Sequence, residues 1–122
     1  MVPRKYYEAG TEKGVLIFSL MLDNASVQQI LEMPLVFENL LNERECKKVI
    51  INLADTGFVH TVVIASLVVI LKKAKTATAE LVVCGVQDNV RRIFEIANLD
   101  RIFTLYENKQ DAMEHFGHAC TS

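Results

Sequence analysis

Glycine, proline and cysteine are all scarce in this 122-residue chain, at five, two and three residues, and each shortage removes a class of function. The glycines form no phosphate loop of the P-loop or dinucleotide type, since neither Gly57 nor Gly85 belongs to such a pattern, and no HExxH motif is present. No proline-rich, repetitive or low-complexity segment divides the chain, so residues 1–122 read as one domain. Cys46, Cys84 and Cys120 are odd in number and lack CxxC spacing, as suits a reduced cytoplasmic protein. Positive charge is not in excess: the net charge is −2 and the pI about 5.9, which argues against a nucleic-acid partner held through backbone phosphates. The longest apolar run, Val62–Leu71, is interrupted by Ser66 and is about half of what a bilayer span needs, so no direct membrane insertion is expected. The opening segment MVPRKYYEAG lacks an apolar h-region and does not read as a secretory leader.

What the chain has in quantity is apolar side chains, 51% of the residues with 23% charged, enough for one globular core. Tyr6–Glu8 opens a first strand, with a turn at Gly10–Gly14, and Val15–Leu22 reads as a buried strand. DNAS at Asp23–Ser26 is a polar turn. Pro34 is tolerated in the first turn of a helix and not inside one, so the first helix is expected from about Met33 to Arg44, with Leu35, Leu40 and Leu41 as a partial apolar stripe. Val49–Leu53 is a strand, Asp55-Thr56-Gly57 a turn and Thr61–Lys75 a helix, closed by Lys72, Lys73 and Lys75, which complement its dipole. Leu81–Gly85 and Ile102–Tyr106 are further strands. Asn89–Ala97 and Lys109–Phe116 are helices, with Asp88 and Asn89 as the cap region of the former. Strands alternating with helices imply an α/β fold with a small, mixed but largely parallel sheet packed against about four helices.

The segment with most chemical content is VIINLADTGFVHTVVIASLVVILKKAK, Val49–Lys75. A single hydroxyl, Thr61, stands where the apolar helix begins. The first-turn N–H groups lack intrahelical partners and the helix dipole favours an anion there, so a phosphate on Thr61 is stabilised at that place, while a plain capping role is the simpler alternative. A helical wheel sets Ile64, Leu67, Val68 and Leu71 toward the core and Val62, Ser66, Val69 and Lys73 opposite. Two outward valines beside Thr61 suggest a protein-binding patch made of His60, Val62, Ser66, Val69 and Lys73. Cys84, inside LVVCG, reads as a buried structural thiol. His115, His118 and Cys120 read as an incidental cluster. No catalytic residue, metal site or cofactor is expected, and the chain does not read as an enzyme.

Two phrases, VIINLADTGFVHT and ELVVCGVQDNVRRIFEIANLDRIFTLYENKQDAMEHF, resemble the STAS domain of bacterial anti-sigma-factor antagonists over Val49–Phe116. The resemblance implies the same small mixed sheet with helices. It also implies a partner: an anti-sigma factor that is at once the kinase of the antagonist, or a related signalling kinase. Antagonists of the family carry Asp-Ser-Ser/Thr-Gly at the start of this helix, with the first Ser phosphorylated. The four corresponding positions here are His60, Thr61, Val62 and Val63, so Thr61 keeps the hydroxyl while the carboxylate, the second hydroxyl and the glycine are gone. A Thr followed by apolar residues is also similar to the phosphorylated Thr of stressosome scaffolds. Two readings stand at this point: a kinase-binding regulator switched at Thr61, and a non-phosphorylated assembly subunit of an oligomer such as a stressosome or a lipid-transport ATPase.

Overall fold

Alternation of apolar and mixed segments produces a single five-stranded sheet in the order β1-β2-β3-β4-β5. The computed structural model describes residues 6–120, and side chains as far as residue 117. The strands are β1 Tyr7–Glu12, β2 Val15–Leu20, β3 Lys48–Asn52, β4 Glu80–Cys84 and β5 Thr104–Tyr106, and the helices α1 Val27–Arg44, α2 Thr61–Thr76, α3 Asp88–Ile96 and α4 Lys109–Cys120. β1 is antiparallel to β2, and every other pairing is parallel. The mixed sheet with four helices is thus the expected α/β architecture. β1 is longer than expected because pairing runs from Tyr7 opposite Leu20 to Glu12 opposite Val15, with the turn confined to Lys13-Gly14. A 3-10 turn, Leu99–Arg101, precedes β5.

The central strands are apolar almost without interruption because both faces of the sheet are covered. On one face Leu16, Phe18, Leu20, Val49, Ile51, Leu53 and Val83 pack against α1, α2 and α3 through Phe37, Leu67, Ile70, Leu71 and Phe94. On the other, Val15, Ile50, Val82 and Cys84 meet Ala112 and Phe116 of α4. Of the α2 residues expected in the core, Leu67 and Leu71 are buried, while Ile64 and Val68 are only partly buried.

The largest departure from the sequence reading is α1, which starts at Val27 and runs straight through Pro34. Ser26 and Gln29 form a reciprocal capping box, the side chain of each accepting the other's backbone N–H. That start signal outweighs the proline. Pro34 has no N–H to give the carbonyl of Ile30, a loss that would leave a buried acceptor unpaired. The Ser66 hydroxyl of α2 supplies the missing donor, at 3.1 Å from the Ile30 oxygen. Ser66 is accordingly buried, not outward-facing as the helical wheel expected, and α2 turns Val63, Ile70 and Ala74 inward beside Leu67 and Leu71. Leu35, expected on the inner stripe, is 57% exposed, and Met33, Pro34 and Phe37 take the core positions.

Ser66→Ala should cost about 1–3 kcal/mol in denaturant melts, the usual loss for an orphaned buried acceptor. In a Pro34→Ala background, where residue 34 regains its N–H, the same change should cost clearly less. Equal costs in both backgrounds would show that Ser66 does not compensate the proline.

Two buried acids set a second expectation. Burial pushes the Cys84 thiol up from 9.0 to about 11, against the opposing pull of Lys109. Burial, helped by the nearby Glu32 carboxylate, pushes the Tyr6 hydroxyl up from 10.0 to about 12. Both groups hold their protons more tightly when folded, so their contribution to stability is complete below the unfolded values and is lost as pH rises through the folded ones. Stability should fall across pH 9 to 12, and Cys84→Ala should flatten the part between 9 and 11. An unchanged slope in that variant would assign the alkaline loss elsewhere.

Candidate functional site

The link from β3 to α2, residues 53–60, leaves the sheet at the C-terminal ends of the parallel strands and delivers Thr61. It is held from two sides. Thr56, fully buried, donates its hydroxyl to the Leu20 carbonyl at 2.7 Å and accepts the Leu22 N–H at 3.2 Å, tying the loop to the end of β2. The Asp23 carboxylate accepts the N–H of Gly57 (3.0 Å) and of Phe58 (3.1 Å). From the other side the Gln87 side-chain amide donates to the Ala54 carbonyl at 2.9 Å, and the Asn89 amide donates to the Gly57 carbonyl. Gly85 lets β4 exit close by. At φ +74° it has a conformation few other residues accept, and a Cβ there would stand 2.8 Å from Asn52 Oδ1 and 2.9 Å from the Ala54 nitrogen.

This clamp is what the sequence reading missed. Asp23 lies in a segment read only as a turn, and Asp88-Asn89 was expected to cap α3. The cap position is instead Gln87, without a side-chain cap bond, and Asn89 spends its amide on the loop. The partners are more than thirty residues apart in sequence, so no local signal marks them.

Beyond the clamp the loop turns outward. Phe58 is 52% exposed and meets His60 edge-to-face at 4.6 Å between ring centroids. His60 occupies the N-cap of α2 with extended backbone and makes no side-chain cap bond. Thr61 is therefore the first helical residue and not the cap, and it is exposed. The first intrahelical bond runs from the Ile64 N–H to the His60 carbonyl, leaving the N–H groups before it free of intrahelical partners. No acid sits in the first turn of either α1 or α2.

From Thr61 a groove of about 520 Å³ runs between α1 and α2. Its α1 wall is Leu31 and Leu35, its α2 wall Val62, Ala65 and Val69, with Pro34 and Ser66 beneath and Lys73 at the far end. The patch expected from α2 alone is therefore shared with α1. Val69 is 41% exposed and Leu31 59% exposed, Val62 is half-buried, and Lys73 is paired with Glu38 at 3.0 Å. Val27, Leu31 and Leu35 make a stripe at i, i+4, i+8 whose regularity was hidden by starting the helix at Met33.

Other chemistry-bearing residues lie elsewhere. Cys84 is wholly buried in β4 under α4. His115 hydrogen-bonds the Tyr106 hydroxyl at 2.6 Å and also meets the Glu80 carboxylate, tying α4 to β4 and β5. The side chains of His118 and Cys120 lie outside the described residues. Among the described residues no group of three or more His, Cys, Asp or Glu side chains is placed to hold a metal ion. No described helix is long and apolar enough to cross a membrane.

The strand, loop and helix that carry Thr61 lie within a match to a known family that extends over residues 6–112. The chain belongs to the STAS domain family. Among solved STAS structures it is similar to a serine-to-glutamate variant of RsbS from Moorella thermoacetica, with 13% identity over 97% of this chain and all of the other, and a TM-score of 0.81. An anti-sigma-factor antagonist domain protein from Planctomyces limnophilus shares 18% identity over 91% of this chain and 97% of its own, with a TM-score of 0.79. The phosphorylated form of the Bacillus cell fate determinant SpoIIAA shares 12% identity over 90% of this chain and 98% of its own, with a TM-score of 0.66. At these identities the likeness is one of fold, and the STAS fold here is that of the anti-sigma-factor antagonists.

Asp23→Ala should free the loop without unfolding the domain. Amide exchange at Gly57 and Phe58 should accelerate at least tenfold, with a loss of global stability of about 1 kcal/mol. Exchange that stays slow would mean that Thr56 and Asn89 alone hold the loop.

Proposed function

We propose that this STAS domain is a non-enzymatic regulatory module of the cytoplasm that binds a kinase-type anti-sigma factor, or a related signalling kinase, and is released from it by phosphorylation of Thr61. The observation that carries this reading is the placement of Thr61: an exposed hydroxyl, not used as a cap, at the first position of α2 and at the head of an apolar groove. The partner supplies ATP. Its γ-phosphoryl group passes to Thr61 Oγ, the hydroxyl proton leaves to a base of the kinase, and ADP departs. The product carries about −1.5 to −2 charges. The fold tolerates them, because the free N–H groups and dipole at the start of α2 favour an anion. A docked partner does not, since the charge sits beside Val62 and docking requires its dehydration against apolar surface. His60, in place of the family's carboxylate, removes one nearby negative charge.

A second reading, a permanently unphosphorylated assembly subunit of an oligomer, is favoured by Val62 and Val63 standing where the family carries a second hydroxyl and a glycine.

Incubation with a cognate kinase and ATP should add one phosphoryl group by intact mass, located on Thr61. Thr61→Val should bind the kinase and accept no phosphate, and the phosphorylated domain should bind at least tenfold more weakly. Phosphate on another residue, or none with a kinase that binds well, would leave the assembly reading in its place.

A further inference from the structure

The loop that presents Thr61 already holds an anion. Two successive main-chain N–H groups point at the Asp23 carboxylate, with contacts of 3.0 and 3.1 Å from Gly57 and 3.1 Å from Phe58. Consecutive N–H groups converging on one centre are how a backbone binds a carboxylate or a phosphate. Asp23 is exposed, and among the described residues no salt bridge involves it, so the loop N–H groups are what answer its charge.

The position of this contact in the chain gives it a consequence. Asp23 lies in the link between β2 and α1, three residues before Ser26, the cap of α1. That link is a tight turn, closed by the Ala25 N–H donating to the Leu22 carbonyl at 3.1 Å. On the other side Thr61 follows Phe58 by three residues, so their Cα atoms are at most about 11 Å apart. A phosphate on Thr61 and the Asp23 carboxylate thus belong to the same short stretch of backbone.

Two anions cannot share one set of N–H groups. A phosphate brings about −1.5 to −2 charges and three acceptor oxygens, against the single charge and two oxygens of a carboxylate. Asp23, being exposed, returns to water at little cost. The loop keeps its course without it, because its other anchors serve different atoms. Thr56 stays bonded to the Leu20 carbonyl and the Leu22 N–H, while Gln87 and Asn89 donate to the carbonyls of Ala54 and Gly57. Among the described residues Asp23 alone serves the N–H groups of Gly57 and Phe58.

We propose that Asp23 is a resident anion which a phosphate on Thr61 displaces from the Gly57 and Phe58 N–H groups, so that phosphorylation unfastens the β2–α1 link from the loop. The inference rests on the regulatory reading above and gives that switch a second effect. Besides charging the start of α2, the phosphate loosens the segment that leads into α1.

The test uses the whole chain with phosphothreonine incorporated at position 61 during translation, which needs no cognate kinase. Amide exchange is read at Ala25, Gly57 and Phe58 in the unaltered chain and in Asp23→Ala, each with Thr61 plain or phosphorylated. Without phosphate, Asp23→Ala should speed exchange at Gly57 and Phe58 at least tenfold. With phosphate, the same variant should regain most of that protection, since the new anion takes up the two N–H groups. In the unaltered chain the phosphate should leave Gly57 and Phe58 protected and speed Ala25 to the rate that Asp23→Ala alone produces. Should Asp23→Ala fail to fold, Asp23→Asn, which keeps the shape and drops the charge, replaces it. Protection that phosphate does not restore overturns the proposal, as does an Ala25 amide that phosphate leaves at its original rate. Unrestored protection in a domain that a kinase does phosphorylate on Thr61 overturns the exchange of anions and not the regulatory reading. Restored protection, with a kinase that binds well and leaves Thr61 unmodified, overturns the reading and supports the exchange.

Discussion

The hydrogen bond from Ser66 to the Ile30 carbonyl is the contact on which the helical face depends. Without it, Pro34 leaves α1 with a buried acceptor unpaired at its centre, and helices in that position break or kink. With it, the proline becomes a device for fixing two helices: the donor must come from outside α1, and only one rotation of α2 presents Ser66. That rotation sends Val63, Leu67 and Ile70 into the core and leaves Val62, Ala65 and Val69 beside Leu31 and Leu35. The groove is therefore a by-product of satisfying one carbonyl.

The loop that carries Thr61 answers a different demand. A link between a buried strand and a helix has main-chain groups that no ladder pairs, and each needs a partner. Here side chains from the link after β2 and from the start of α3 supply them: Asp23 on the one hand, Gln87 and Asn89 on the other. Both segments emerge at the same edge of the sheet, because parallel strands joined by right-handed crossovers start all their helices there. The hydroxyl is thus presented on a braced loop instead of a loose one, and its neighbours Phe58 and His60 are left outside.

Strand identity and order were legible because buried parallel strands write themselves as short apolar runs, as in VIIN and LVVC. The start of α2 at Thr61 was legible too, from the polar turn before it and the lysines at its end. The start of α1 was not. Pro34 is a strong local signal against helix, and what outweighed it was the Ser26–Gln29 capping box together with a donor from Ser66, thirty-two residues further on. The same long-range contact explains why the helical wheel of α2 came out turned: taking Ile64, Leu67, Val68 and Leu71 as the core face put Ser66 on the far side, although it had a buried carbonyl to serve. The loop clamp shares this origin, since Asp23 and Asn89 are ordinary turn residues until the fold brings them to Gly57.

The sheet separates the molecule into two halves that do not share side chains. Leu16, Phe18 and Ile51 look toward α1 and α2, while their immediate neighbours Val15 and Ile50 look toward α4. Alternation along each strand makes the partition complete at the level of single residues. The Thr61 edge and α4 thus lie against opposite faces of one close-packed layer and share no core side chains. A domain built this way can be held in place by one face while it reports through the other.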